Sequence, residues 1–272
     1  MSRKYLYPIL IIVVTIVLYY AEKYVDRETE DYPNTSKEND DFSSSEFDDI
    51  FLPTSTTGAI ITHAYYTLSY AESHEQAEWV AYELSEKHLS KNDIERPYFV
   101  EDRQVKSKSA DWRNYKRSGY DRGHLCPAGD RRFTYDAYHE TFLTSNISPQ
   151  NHEFNAGVWN SLEQKVRFWA GKYQGVYVVT GGILRKGLPS IGDERVSVPE
   201  EFYKIVMDAS DGNYKAIAFL IPNKRTNKSF YDYVTTIDAI EEKTGIDFFP
   251  KISESLETHL ESRIDLKAWG KR

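Results

Sequence analysis

A set of polar residues between positions 118 and 167 constrains this chain more than any other feature of its sequence. The set begins with Asp121-Arg-Gly-His124 and continues with Asn146-Ile-Ser-Pro-Gln150. It ends with Asn155, Glu163 and Arg167, which follow one another at intervals of eight and four residues. A histidine, carboxamides, a carboxylate and two arginines therefore fall within one short region, and the fold has to position them.

The length and composition are those of one domain with appendages. The 272 residues suit a domain of about 200 residues plus further segments. The 21 tyrosines, 13 phenylalanines and 5 tryptophans can form a sizeable core. A single cysteine, Cys126, excludes an intrachain disulfide and a cysteine-rich zinc site.

The N-terminus carries a candidate membrane segment. Residues 5–21 are apolar and uncharged, and Arg3 and Lys4 precede them. The run is short for a membrane-spanning helix and long for the core of a signal peptide, and no small-x-small cleavage site follows it. We therefore predict a cytoplasmic stub and an uncleaved signal anchor over residues 1–21, with the rest of the chain outside the cytoplasm. The alternative is a cleaved signal peptide and a secreted protein.

A strongly acidic segment follows the candidate anchor. Residues 22–50 contain 11 acidic and 3 basic side chains, which accounts for the whole net charge of −8. Few aliphatic residues occur before Ile50, so this stretch cannot bury enough apolar surface to fold alone. The composition predicts a disordered acidic linker over residues 22–57 and a folded domain over residues 58–272.

The region that contains the polar set has the opposite charge. Residues 103–132 hold nine Lys or Arg side chains and three Asp side chains. A polyanionic ligand requires a local positive field rather than a basic total, so the acidic balance of the chain does not exclude one. The alternative interpretation of such a run is an ordinary solvated surface.

The apolar pattern predicts a mixed α+β fold with clustered strands and inserted helices. Residues 76–85 have apolar side chains at helical spacing and predict a helix. Residues 155–172 predict another helix, in which Trp159 and Trp169 belong to the core. The pattern from Ser229 onward is also helical. Strands are predicted over residues 63–70, 142–148 (ended by Pro149), 175–181, 202–207 and 214–222.

Two members of the polar set are candidates for a general base and a metal ligand. The imidazole of His124 titrates near neutrality, so it can take a proton from water, and Gly123 leaves room for a bulky substrate. The amide oxygen of Asn155 is a hard donor suited to Mg²⁺, which keeps most of its waters. The alternative role for an asparagine at this position is a helix cap.

The remaining members supply charge. Glu163 and Arg167 lie one helical turn apart, so they form either an exposed ion pair or a functional pair. In the functional interpretation Glu163 orients metal-bound water and Arg167 reaches a phosphate. Arg122 offers a permanently charged planar donor to the developing charge of a transition state. Asp121 is expected to be structural, holding either the turn or Arg122.

The ordered set resembles the DNA/RNA non-specific endonucleases of the ββα-metal superfamily, also called His-Me finger nucleases. That family includes secreted bacterial sugar-non-specific nucleases and mitochondrial endonuclease G. The resemblance extends from about residue 65 to residue 223. Within this range, residues 79–82, 178–181, 198–204 and 219–223 resemble the family as well. Cys126 departs from the small alanine that is commoner at its position in the family.

The resemblance implies a ββα-metal nuclease core within a mixed, mainly antiparallel sheet sandwich with flanking helices. It implies that His124 activates the attacking water and that Asn155 carries a single Mg²⁺, with Mn²⁺ as a substitute. It further implies 5′-phosphate products, a supporting role for Asn146 and a phosphate contact by Arg96.

The leading hypothesis is a membrane-tethered, outward-facing endonuclease that hydrolyses DNA, RNA or both with little sequence preference. A protein inhibitor is an additional candidate partner. The first alternative is a catalytically silent nucleic-acid receptor on the same fold, for example in DNA uptake. The second is a surface adhesion domain, which predicts no salt-dependent binding of nucleic acid.

Overall fold

A seven-stranded antiparallel sheet forms the centre of the computed structural model, which describes residues 49–90, 92–212 and 214–271. The strands are β1 Ile60–Thr62, β2 Thr67–Ala71, β3 Gln76–Ser85, β4 Tyr120–His124, β5 Ile147–Asn151, β6 Gly175–Gly182, β7 Ser190–Ile191, β8 Val196–Ser197, β9 Glu201–Asp208, β10 Lys215–Pro222 and β11 Val234–Thr235. The strand order in the sheet is β1-β2-β3-β6-β9-β10-β11. Two further pairs of strands, β4-β5 and β7-β8, lie outside this sheet.

The helices are short apart from one. The α-helices are α1 Tyr135–Glu140, α2 Asn160–Lys172, α3 Ile237–Thr244 and α4 Glu254–Glu261. A single α-helical turn at His152–Phe154 and a π-helical turn at Asn155–Trp159 lead into α2. The 3₁₀ turns are Asp49–Phe51, Glu72–His74, Glu86–His88, Trp112–Tyr115, Ala128–Asp130, Thr144–Asn146, Ser210–Gly212 and Phe230–Tyr233.

The two faces of the sheet are covered by different helices. Because side chains alternate along a strand, Phe202 and Val206 of β9 point to one face and Tyr203 points to the other. The first face packs against apolar residues of α2, including the buried Trp169. The second face packs against α3, α4 and the segment between them, which contributes Phe248. The sheet is thus the middle layer of an α+β fold, as the sequence predicted.

The catalytic candidates lie on a strand-strand-helix unit. Strands β4 and β5 pair antiparallel, with His124 opposite Ile147 and Gly123 opposite Ser148. A Cβ atom on Gly123 would fall 2.2 Å from the side chain of the buried Gln150, which would then have to move. Helix α2 follows β5 after the two short turns, and the predicted ββα core is confirmed.

The prediction of a helix over residues 76–85 is wrong, because these residues form the central strand β3. Both faces of β3 are covered, and Trp79 and Tyr82 are almost wholly buried although they project to different sides. A strand that is buried on both faces shows no alternation of polar and apolar residues, and its pattern is easily mistaken for a helical one.

Pro149 does not end the strand in which it lies. It sits inside β5 opposite Arg122. A two-stranded pair leaves one side of each strand unpaired, so the missing N–H of proline breaks no ladder bond when it faces that side. Strand β5 therefore runs to Asn151, and the predicted strand over residues 142–148 is displaced toward the C-terminus.

The folded part of the chain begins before residue 58. Phe51 is buried, and the indole Nε1 of Trp79 donates a hydrogen bond to the Thr54 carbonyl at 2.9 Å. The Thr54 N–H donates to the Asp247 carbonyl at 2.8 Å. The predicted linker boundary at residue 57 is therefore too late, because residues 49–57 pack on the domain.

The predicted anchor over residues 1–21 and the predicted linker up to residue 48 lie outside the described residues. Within residues 49–90, 92–212 and 214–271, no helix combines the length and the apolar character that crossing a bilayer requires.

Candidate active site

Five predicted site residues line one open cavity of about 300 Å³ at the junction of β4 and α2. They are Arg96, His124, Asn155, Glu163 and Arg167. A second cavity of about 370 Å³ also contacts Arg96 and Asn155. Its lining includes two further predicted residues, Asp121 and Arg122. The fold thus gathers side chains that are spread over more than 70 positions of the sequence.

His124 lies at the end of β4 with its ring between two phenylalanines. The ring centroids of Phe99 and Phe142 are 5.4 and 5.0 Å away. Its Nε2 atom is buried and has no hydrogen-bond partner among the described residues. Burial, together with the positive charges of Arg96 and Arg122, lowers the pKa of His124 to about 3. The near-neutral pKa expected from the sequence is therefore wrong for the free protein, in which this imidazole is unprotonated.

Asn155 is oriented by Asp121. Its Nδ2 donates to Asp121 Oδ2 at 3.0 Å, and the same carboxylate oxygen lies 2.9 Å from Nδ1 of the exposed His152. The Asn155 Oδ1 has no hydrogen-bond partner in the part of the chain that the structure describes. Asp121 was expected to hold the turn or Arg122, and in the structure its carboxylate bonds Asn155 instead.

The capping alternative for Asn155 does not apply. Asn151 caps the turn, since its Oδ1 accepts hydrogen bonds from the N–H groups of Glu153 and Phe154. Asn155 instead opens the π-helical turn, where Gly157 departs from helical geometry with φ −99° and ψ −107°. Such turns recur at functional sites because they redirect side chains that a regular helix would align differently.

The donor set around Asn155 suits a hydrated divalent cation. Asn155 offers a neutral amide oxygen, and Glu163 lines the same cavity. Among the described residues, no group of three His, Cys, Asp or Glu ligands gathers at this place. A closed structural zinc site is therefore excluded there, whereas Mg²⁺ accepts few protein ligands and keeps its waters.

Arg167 pairs with Asp130 rather than with Glu163. Its Nη1 lies 2.6 Å from Oδ1 of Asp130, which is almost wholly buried. The second carboxylate oxygen of Asp130 accepts a hydrogen bond from the Tyr82 hydroxyl at 3.1 Å. The alternative of a plain Glu163–Arg167 surface pair is therefore wrong. Asp130 therefore holds the guanidinium of Arg167, which also lines the cavity.

Glu163 is poised between its two protonation states. Burial, together with the negative charge of the nearby Asp130 carboxylate, raises its pKa to about 7. Lys204 and Arg167 act in the opposite direction. A carboxyl that titrates near neutrality suits proton exchange with water in the cavity.

Lys204 is a residue of this region that sequence reasoning missed. It lies on β9 with no exposed surface, and its Nζ has no hydrogen-bond partner among the described residues. The ammonium sits 4.7 Å from the ring centroid of Trp159. Burial lowers the pKa of Lys204, while the negative charges of Glu163 and Asp130 raise it. A lysine inside an otherwise apolar strand is the signal that could have identified it.

Asn146 braces the backbone just after His124. Its Nδ2 donates to the carbonyls of Cys126 and Thr141 at 3.0 and 2.9 Å, and its Oδ1 accepts from the Cys126 N–H at 2.8 Å. All of these groups are buried. Burial also raises the pKa of the Cys126 thiol to about 12, so this cysteine is an unreactive packing residue.

Arg96 and Arg122 are exposed at the mouth of the site. The guanidinium of Arg122 lies 4.8 Å from the Phe99 ring centroid and 5.4 Å from that of Trp112. That of Arg96 lies 5.5 Å from the Phe142 ring centroid. Neither arginine has an ion-pair partner among the described residues, so both remain available to an anion.

A family model described as DNA/RNA non-specific endonuclease matches residues 43–255. The chain belongs to this family. DNA/RNA non-specific endonucleases are metal-dependent nucleases, which agrees with the donor set at Asn155.

Individual relatives of this endonuclease family agree with the assignment. A nuclease of Nostoc sp. (strain PCC 7120) is 32% identical over 215 residues, which are 74% of this chain and 76% of that protein. Mitochondrial nuclease EXOG of Danio rerio is 32% identical over 206 residues, or 70% of this chain and 60% of that protein. Human mitochondrial endonuclease G is 31% identical over 205 residues, which are 69% of this chain and 68% of that protein.

A solved structure supports the fold. The crystal structure of the EndoG/EndoGI complex, a study of EndoG inhibition, matches with a TM-score of 0.67 and 30% identity. The match covers 71% of this chain and 86% of that chain. The predicted resemblance to this endonuclease family and the predicted fold class are thus confirmed.

Proposed function

We propose that this domain is an endonuclease that hydrolyses phosphodiester bonds of DNA, RNA or both, with His124 as the general base and Mg²⁺ or Mn²⁺ at Asn155. The observation that carries the proposal is the shared cavity. An unprotonated imidazole, a free amide oxygen and a carboxyl with a pKa near 7 line it together with two arginines.

The side chains have separate tasks. His124 takes a proton from the attacking water, for which its unprotonated state in the free protein is required. The negative phosphate of a bound substrate offsets the charge of Arg96 and Arg122, so the imidazolium formed in the reaction is less disfavoured than in the free protein. Glu163 orients water in the cavity.

Charge stabilisation falls to the arginines and the cation. Arg96, Arg122 and Arg167 contact the phosphate, and Asp121 keeps the Asn155 amide oxygen directed away from itself. A bound divalent cation supplies stabilisation of the phosphate charge and of the leaving 3′ oxygen. The products then carry 5′-phosphate ends. Contacts of this kind address the backbone and not the bases, which gives little sequence preference.

The proposal is tested by cleavage of plasmid DNA and of single-stranded RNA with Mg²⁺ present. We compare the wild-type domain with His124→Ala and Asn155→Ala, and we identify the product ends by ligation. Loss of cleavage in both variants with folding retained is expected. Wild-type activity in His124→Ala overturns the assignment of the base. Salt-dependent binding without turnover by the wild type supports instead a silent nucleic-acid receptor.

We extend the proposal to location and partners. The apolar run over residues 5–21, with Arg3 and Lys4 before it, supports a signal anchor that holds the domain outside the cytoplasm. A secreted form after signal cleavage is the competing outcome, and N-terminal sequencing of the natural protein distinguishes the two.

The solved EndoG/EndoGI complex supports a protein inhibitor as a further partner. Co-purification with the full chain tests this.

A further inference from the structure

Five carboxylates converge at the C-terminal end of the domain. Asp238 and Glu241 lie on α3, Asp247 follows that helix, and Glu257 and Glu261 lie on α4. They form two groups of three that share Glu261, and within each group one oxygen per residue lies within 4.8 Å of the others.

This cluster is separate from the candidate active site. Helices α3 and α4 pack on one face of the sheet through residues such as Ile240 and Leu260, whereas α2 packs on the other. The region matched by the endonuclease family ends at residue 255, so Glu257 and Glu261 lie beyond it. The other three carboxylates, Asp238, Glu241 and Asp247, lie within the matched region.

Glu261 points into the cluster without any compensating partner. Only 6% of its surface is exposed, and its Oε1 is buried with no hydrogen bond among the described residues. The Oδ1 of Asp247 is in the same situation. No Lys, Arg or His of the described residues forms an ion pair with any of the five carboxylates. Of the five carboxylate groups, only that of Glu241 accepts a hydrogen bond from the part of the chain that the structure describes, from the Phe248 N–H at 2.9 Å.

An unpaired buried carboxylate among other carboxylates is strongly unfavourable in water-free surroundings. A bound cation removes this cost because it replaces repulsion among the carboxylates by attraction to a common charge.

We propose that these five carboxylates bind one Ca²⁺ ion. Ligands on opposite sides of Ca²⁺ lie about 4.6–5.2 Å apart, because each Ca–O distance is about 2.3–2.6 Å. Oxygens that all lie within 4.8 Å of one another can therefore share one Ca²⁺ ion. The number of carboxylates favours Ca²⁺ over Mg²⁺, which usually binds through about one or two carboxylates and keeps its waters. Its coordination by about six to eight oxygens is met by the carboxylates together with water.

The ion has a structural role in this position. It joins α3, α4 and the segment that carries Asp247. The backbone of Asp247 is in turn bonded to Thr54, through the Thr54 N–H at 2.8 Å and the Thr54 Oγ1 at 2.8 Å. Ca²⁺ therefore fastens the first described segment and the last helices to the same face of the sheet.

The experiment measures binding and stability, not catalysis. The full chain carries Asn155→Ala, so that a cation at the catalytic centre does not contribute. Melting temperatures are compared in EDTA, in Ca²⁺ and in Mg²⁺, and Ca²⁺ affinity is measured by calorimetry. At a Ca²⁺ concentration about 100-fold above Kd, the melting temperature should rise by roughly 5 °C or more. No rise, or an equal rise with Mg²⁺ at the same concentration, overturns the proposal.

Two variants test whether the Ca²⁺-dependent rise in melting temperature comes from this carboxylate cluster. Glu261→Gln should abolish the Ca²⁺-dependent rise and should melt no lower than its parent in EDTA, because it removes a buried charge. Asp238→Asn changes an exposed ligand, so folding is preserved and Ca²⁺ affinity should fall roughly tenfold. The control Glu242→Gln, exposed on α3 beside Glu241, should keep the full rise. A full rise retained by both ligand variants also overturns the assignment.

Discussion

The Asp121 carboxylate holds the Asn155 amide across a hydrogen bond of 3.0 Å from Nδ2 to Oδ2. The bond determines which end of the amide remains free. Since the carboxylate can only accept, the amide must present its nitrogen to Asp121 and its oxygen elsewhere. Asp121 is thus a positioning residue for the proposed cation ligand.

The first prediction concerns this bond. Asp121→Asn replaces an obligate acceptor by a group that can also donate, so the orientation of the Asn155 amide is no longer fixed. We expect the Mg²⁺ concentration for half-maximal cleavage to rise about 10- to 100-fold. Activity should recover largely at saturating Mg²⁺. The control His152→Ala removes the exposed second partner of Asp121 and should change this concentration little. An unchanged Mg²⁺ requirement in Asp121→Asn contradicts the positioning role.

The second prediction concerns the pH dependence of stability through Glu163. Its folded-state pKa of about 7 exceeds the ordinary value of 4.5, so the native state retains a proton that the unfolded state releases in this range. The stability associated with this proton is complete below pH 4.5 and is lost as the pH rises through 7. The Glu163→Gln side chain does not release a proton, so the variant should not lose this stability as the pH rises. In EDTA the variant should gain about 1–3 kcal/mol over the wild type between pH 4.5 and pH 8.

Denaturant unfolding at several pH values measures this difference. Glu242→Gln serves as the control, because its carboxyl is exposed on α3, and it should follow the wild type throughout. Cleavage activity of Glu163→Gln should fall even where its stability is higher, as is common for buried functional groups. A difference that grows toward low pH would disprove the assigned direction.

The local parts of the fold and the site were predictable from sequence. His124, Asn155, Glu163 and Arg167 lie on one strand-strand-helix unit, where spacing along the chain largely fixes spacing in space. The long strand β3 was not predictable from periodicity, because burial on both faces erases the alternation that identifies a strand.

The missing parts of the site are non-local. Asp130 pairs with Arg167 from a 3₁₀ turn 37 positions earlier, and Lys204 reaches the region from β9 in the central sheet. The same holds for Glu261, whose acidic neighbours Asp238 and Glu241 lie on a different helix, α3. Their roles depend on tertiary packing and on burial. Neither is encoded in the spacing of residues within one segment.

The third prediction concerns the exposed arginines. Arg96 and Arg122 have no ion-pair partner among the described residues, so each is free to displace counterions from a nucleic-acid backbone. Binding of DNA is measured with Ca²⁺ in place of Mg²⁺ to suppress cleavage. We expect the logarithm of the association constant to fall linearly with the logarithm of the salt concentration. Arg96→Ala and Arg122→Ala should each reduce the slope by about 1. Lys251→Ala, an exposed charge next to α4, should leave the slope unchanged. Equal slopes in all four proteins contradict the proposed phosphate contacts.

The last prediction concerns Lys204, the buried ammonium that favours the ionised form of Glu163. Lys204→Met keeps similar volume and removes an unpaired buried charge, so the melting temperature should stay equal or rise. Without the ammonium, the pKa of Glu163 should move above 7. The acidic limb of the cleavage pH profile should therefore shift upward, with activity at pH 6 reduced more than activity at pH 9. The control Lys165→Met, which changes a partly exposed lysine of α2 that lines neither cavity, should leave the profile in place. A uniform loss of activity at every pH would assign Lys204 a packing role alone.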